Sequence, residues 1–170
     1  MADGYRQKLD ASEWDKAFSA LGGPVKESLA RRMLVEGGVL LRDAAKGNAR
    51  MAANKEGVET RGLLAAAIYL VYEKEAETSS SYTYKISWNS KIAPHGHLVE
   101  FGHWMTHKVY KASNGEWYTL KDRPLDAPKW VAARPFLRPT FDSYGNVAIR
   151  AMILRGQKEL PVLLREYAPK

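Results

Sequence analysis

The sequence predicts an α+β fold: a long helix near the start and another near the end, packed on an antiparallel-dominated sheet of about four strands, with a protruding hairpin. Three observations carry this. Apolar residues recur at helical spacing up to Ala53, they alternate from Tyr82 to Trp88, and helical and strand-like segments fall in separate runs instead of interleaving. A chain of 170 residues is long enough to close a core and reads as one domain over 1–170. Within it, 1–23 holds a short helix, 24–160 the main body and 161–170 a tail.

The elements follow in order. Ser12 with Asp15 three residues on is a helix start, and Trp14, Ala17, Phe18 and Leu21 share one face of that short helix. Gly22-Gly23 ends it, and Pro24 suits the first turn of the next. That second helix is expected from Pro24 to Ala53, roughly 45 Å long, with Val25, Leu29, Met33, Leu40, Ala44 and Met51 on its apolar stripe. Gly37-Gly38 interrupts it, either as a bend or close-packing point or as the junction of two shorter helices. Asn54–Gly62 is a polar loop. Leu63–Ala67 is open between helix and strand, whereas Ile68–Tyr72 is β-branched and aromatic and reads as a strand.

After a polar turn at Ser79-Ser80-Ser81, Tyr82, Tyr84, Ile86 and Trp88 alternate with Thr83, Lys85 and Ser87, the cleanest strand in the chain. His103–Lys111 and Glu116–Leu120 flank Asn114-Gly115, a hairpin signal. Trp104, Tyr110, Trp117 and Tyr118 are more aromatic surface than a two-stranded ribbon buries on itself, so the hairpin is expected to project. Pro124, Pro128, Pro135 and Pro139 mark an extended, irregular crossing. A last helical region runs from about Phe136 to Arg155, and Pro161 starts a final turn or two.

Composition narrows the chemistry. With no cysteine, a disulfide framework, an iron–sulfur cluster, a thiolate zinc site and a cysteine nucleophile are all excluded. No signal peptide is read at the start, and the longest apolar run, Leu63–Tyr72, is about half of what spans a bilayer, which points to a soluble protein of a reducing compartment. The formal charge is +7, and its excess sits in residues 121–170, with 10 basic against 5 acidic groups. No phosphate-binding glycine loop, nucleophile elbow or metalloprotease helix is present, and no carboxylate pair is spaced for acid–base work.

All four histidines, His95, His97, His103 and His107, fall within thirteen residues. His-x-His on a strand puts two imidazoles on one face, and three imidazoles are a competent zinc or copper set. Only Glu100 is near enough in sequence to orient them, so no bound ion is expected and surface or subunit-contact histidines are the favoured reading. Arg134 and Arg138 bracket Pro135-Phe136-Leu137, with Arg150 and Arg155 further on. These guanidinium groups either meet phosphates or a partner's carboxylates, or are solvated helix-face charges. Trp88, Trp104, Trp117 and Trp130 read as sheet core or interface anchors.

Three segments in this order, Thr60-Arg61-Gly62-Leu63, Leu98-Val99-Glu100-Phe101-Gly102 and Ala133-Arg134-Pro135-Phe136-Leu137-Arg138-Pro139, lie between a long charged helix and a final helix. This pattern resembles the tail-completion proteins of tailed bacteriophages, minor structural proteins of the head–tail joining region, over roughly residues 25–155. Members show Thr-Gly-x-Leu, Val-Glu-Phe-Gly-Thr and Ala-x-Pro-Phe-Leu-x-Pro. Here Arg61 separates Thr60 from Gly62, and His103 stands where the family has threonine. The third segment is the most specific.

The resemblance implies a non-enzymatic virion protein without cofactor or metal, assembled in the host cytoplasm. It implies a homo-oligomeric ring of six copies, or twelve against the portal side, that meets neck and tail proteins while genomic DNA passes through its lumen. As tail completion, neck or tail-terminator protein, it joins tail to head. The subunit and partner contacts expected are Glu100, Phe101, Gly102, Trp104, Trp117, Arg134, Pro135, Phe136, Arg138 and Pro139. For Phe136 and Leu137, core packing at a helix start is an equal alternative. Two other function classes stand beside this one: a nucleic-acid-binding module using the basic C-terminal third, and a metal-dependent enzyme built on the histidines.

Overall fold

The computed structural model describes residues 23–53, 62–74, 81–113 and 117–167. The short helix expected in 12–22, Thr60-Arg61, Ser79-Ser80 and the Asn114-Gly115 turn lie outside the described residues. Two long helices dominate. Helix α1 runs over Gly23–Ala53 and helix α4 over Arg138–Tyr167, and they pack along each other. Between them in sequence come helix α2 (Leu63–Ala67), strands β1 (Ile68–Tyr72) and β2 (Tyr84–Trp88), helix α3 (Gly96–Phe101), and strands β3 (His103–Lys111) and β4 (Trp117–Val131).

Helix α1 passes through Gly37-Gly38 unbroken, and the reason is packing. A methyl on Gly37 would press on the Met152 side chain and stand 2.8 Å from the Ala148 carbonyl of α4, and one on Gly38 would stand 2.9 Å from Leu70 of β1. The helix is therefore gripped on two sides at this point, and the reading as two shorter helices falls away. The apolar stripe also differs from expectation. Leu29, Met33, Gly37, Leu41, Ala45 and Ala49 are buried, whereas Leu40 and Met51 are exposed. The buried positions keep a strict four-residue step, and each step advances about 40° around the helix. Over five steps the buried ridge swings through roughly 200°. The early part faces Met152, Leu160, Leu163 and Leu164 of α4; the late part faces Leu64, Ala65, Ala67, Ile68, Ala93 and Phe136.

Leu63–Ala67 is helical. Gly62, at φ +71°, precedes it, its carbonyl accepts from the Ala66 N–H at 2.9 Å, and Ile68 turns directly into β1. Strands β1 and β2 pair antiparallel, from Ile68 opposite Trp88 to Tyr72 opposite Tyr84, so the strand expected at Tyr82–Asn89 is present. Strands β3 and β4 form a second antiparallel ribbon. The four strands thus divide into two ribbons instead of joining as one sheet.

Two expectations about proline are corrected. Pro124 and Pro128, read as part of an irregular crossing, lie inside β4, which continues past Leu120 to Val131. The strand accommodates them by slipping register on either side of His107, which faces Pro124. Proline offers no N–H to a ladder, and bulges are where that loss is tolerated. Likewise Pro161 does not open a separate tail but sits inside α4. An interior proline disfavours a helix by about 3 kcal/mol. Leu160, Leu163 and Leu164, packed against Leu29 and Met33 on either side of it, offset that. No helix among the described residues is long and apolar enough to cross a membrane.

Candidate functional site

The structure brings two of the three sequence segments together. Glu100, on the last turn of α3, is buried at 1% exposure. Its Oε2 accepts from the N–H groups of Phe136 at 2.7 Å and Leu137 at 3.0 Å, and its Oε1 from the N–H of Arg138 at 3.1 Å. These N–H groups belong to the two residues leading into α4 and to its first residue, where no carbonyl of the helix itself can accept them. A side chain from another element, 36 residues earlier, therefore caps this helix with charge-assisted bonds, at the end where the helix dipole favours a negative charge.

Further bonds tighten this join. Arg134 donates its N–H to the Val99 carbonyl at 2.7 Å and its guanidinium to the Ala52 carbonyl at the end of α1 at 3.4 Å. The Thr140 hydroxyl donates to the Phe136 carbonyl at 2.7 Å, and the Asn48 amide donates to the Thr140 hydroxyl at 2.8 Å. Phe136 is fully buried, its ring edge-on to Trp88 at 5.7 Å between centroids. Asn48 and Thr140 were not singled out by sequence, because a lone amide and hydroxyl on helices carry no pattern. Both carboxylate oxygens of Glu100 are committed to backbone. The cluster is a latch joining α1, α3 and α4.

This corrects part of the expected contact set. Glu100 and Phe136 are inside the protein and cannot touch a neighbour, because capping α4 and filling the core require their burial. Phe136 takes the core alternative, and Leu137 is buried with it. Arg134, Pro135 and Pro139 are half-buried, and Phe101 and Arg138 exposed. Gly102, at φ +74°, is where the chain leaves the latch for β3. A methyl there would lie 2.8 Å from both the Trp130 ring and the Val131 carbonyl, in a conformation that already favours glycine.

From Gly102 the β3–β4 ribbon extends as an arm whose packing is almost wholly between its own two strands. Trp104 pairs with Trp130, rings 5.3 Å apart and edge-on, and Tyr110 pairs with Tyr118, rings 5.6 Å apart and stacked. Trp104 is 62% exposed and the other three 42–48%. Trp117 pairs through its backbone with Lys111, and its side chain lies outside the described set. Of the aromatics expected to project from the hairpin, Trp104, Tyr110 and Tyr118 are exposed.

The histidines are spread out. His95 precedes α3 and His97 lies within it, so the strand-like pairing of the two does not occur, and His103 and His107 sit on β3. No group of three or more His, Asp or Glu side chains among the described residues could hold a metal ion. Burial, and secondarily the charge of His97, lowers the His95 pKa below the usual histidine value. The groove between α1 and α4, lined by Arg31, Arg32, Glu36 and Arg155, is neutralised by ion pairs such as Arg155–Glu159 at 2.6 Å and Arg32–Glu159 at 3.3 Å. Comparison with protein-family models, curated proteins and solved structures finds no match.

Proposed function

We propose that this chain is a non-enzymatic structural subunit of a tailed bacteriophage virion, acting in a ring at the head–tail junction through which genomic DNA passes. The observation that carries the reading is the latch. The Leu98–Gly102 and Ala133–Pro139 segments, on which the resemblance to tail-completion proteins rests, meet through the Glu100 carboxylate and hold the base of the exposed aromatic arm. The chemistry of such a subunit is steric and adhesive: a rigid base, an arm that docks, and no reacting group. Six copies match a sixfold tail tube, twelve a portal-side position, and neck and tail proteins are the neighbours.

The decisive experiment is a phage lacking this gene product. The proposal expects heads and tails to accumulate separately, or tails defective at the head-proximal end. Infectious particles with normally joined tails would end it. The second reading, nucleic-acid binding by the basic C-terminal third, is favoured by the 10 basic against 5 acidic groups in residues 121–170. It expects tight, salt-sensitive duplex binding by a monomer.

A further inference from the structure

Two apolar surfaces stand exposed among the described residues. On the arm, Trp104 and Tyr110 stand six residues apart on one face of β3, with Trp130 and Tyr118 opposite them. The two aromatic pairs are roughly 20 Å apart, with exposed Thr106 and Lys108 between. On α4, Tyr144, Val147, Leu154 and Val162 are 46%, 51%, 64% and 52% exposed. At 100° per residue they fall, with Ala151, in an arc of about 80° that begins one turn after the buried Thr140 and lies beside the face holding the buried Gly145, Ala148 and Gly156. Lys158 lies within that arc and Arg165 just beyond the end of the stripe, which from Tyr144 to Val162 is about 27 Å long.

We infer that the arm of one copy lies along the α4 stripe of the next, a head-to-tail contact of the chain with itself. This rests on the ring reading above and names its contact. The areas support a second copy as the occupant. Aromatic side chains carry about 150–250 Å² each, so four half-exposed ones offer roughly 400 Å². The stripe offers a similar amount, and the sum is close to the roughly 900 Å² of non-polar area in a standard interface of about 1,600 Å². An arm-to-arm contact would leave every stripe uncovered. The head-to-tail arrangement covers both surfaces in every copy and, repeated, closes a ring or grows a filament.

The test is the mass in solution, by sedimentation velocity, of the full chain and two variants: W104S/W130S in the arm, and V147D/L154D in the stripe. All substituted residues are exposed, and circular dichroism checks that both variants keep the helical content of the parent. The expected result is an assembly for the parent and monomers for each variant alone. Mixed one to one, the variants should give a dimer and nothing larger, because only one intact arm and one intact stripe remain to meet. Dimers formed by the stripe variant alone would assign an arm-to-arm contact and overturn the inference. So would parent-like assembly of either variant, which would leave the ring reading standing. A parent that stays monomeric overturns both. If that monomer binds a labelled oligonucleotide and the arm variant loses the binding, the arm belongs to nucleic acid.

Discussion

The latch around Glu100 and the arm beyond Gly102 are chain neighbours with opposite physics. In the latch every side chain is committed: a buried carboxylate holds three N–H groups, an amide holds a hydroxyl, and Phe136 is sealed against Trp88. In the arm, two tryptophans and two tyrosines face outward and touch chiefly each other. One region uses its residues to fix a shape, and the other presents that shape. Burial divides them: the first region is sealed into the core, and the second leaves its aromatic surface exposed.

The sharpest way to break this contrast is Glu100→Ala. Three N–H groups at the start of α4 lose their acceptor, and each buried unsatisfied group costs about 1–3 kcal/mol, so a loss of about 4 kcal/mol is expected after partial rehydration. Glu100→Gln keeps one oxygen but loses the charge and should cost about half as much. Urea unfolding followed by circular dichroism reads both. A loss below about 1 kcal/mol for the alanine variant would mean that the latch is not what holds α4.

Next in size is the glycine grip. Gly37→Ala drives a methyl into Met152 and toward the Ala148 carbonyl, and only the methionine end can yield. Overpacking of this kind costs about 1–3 kcal/mol. Alanine otherwise favours a helix over glycine by about 1 kcal/mol, so the net loss should be roughly 0–2 kcal/mol. Gly23→Ala, with nothing within 4 Å of the added carbon, is the control that should not destabilise.

How far the sequence reaches can be judged from these same residues. Periodicity and alternation are local, so α1, the two paired strands and the hairpin were legible. The stripe on α1 was misphased after Gly38 because its partners change from α4 to the strand layer midway, and no local pattern reports that. Pro161 reads in sequence as the start of a separate final turn because the leucines that hold it in α4 gain their worth only from Leu29 and Met33, some 130 residues away. The two motif segments were legible as unusual but not as a pair. A carboxylate that caps a helix from another element has no spacing rule. The exposure of Trp104 is legible because a two-stranded ribbon has no room to bury it.

A smaller effect lies at the edge of the latch. Burial and His97 hold the His95 pKa below the usual histidine value, so the folded protein favours the neutral ring. Between that lowered value and about 6.5 the unfolded chain binds more protons than the folded one. His95 therefore contributes fully above pH 6.5, and its contribution falls as the pH drops below that. Unfolding midpoints taken between pH 7.5 and 5 should decline less steeply in His95→Gln than in the parent. Parallel curves would remove His95 as a source of the slope.

The smallest expected effect is also the one that defines the arm. Trp104→Ala and Tyr118→Ala remove large rings, and in a core such truncations cost about 3–5 kcal/mol. Here the rings are 62% and 42% exposed, and they pack on a cross-strand partner worth about 0.5–1.5 kcal/mol per pair. Extrapolated to low protein concentration, where no neighbour is bound, each variant should stay within about 1 kcal/mol of the parent. Raising the concentration should stabilise the parent but not Trp104→Ala, since only a copy with an intact arm gains from association. Glu100→Ala should show its deficit at every concentration. If Trp104→Ala proves as destabilising as Glu100→Ala when dilute, the arm is part of the core, and the division between a fixing region and a presenting region does not hold.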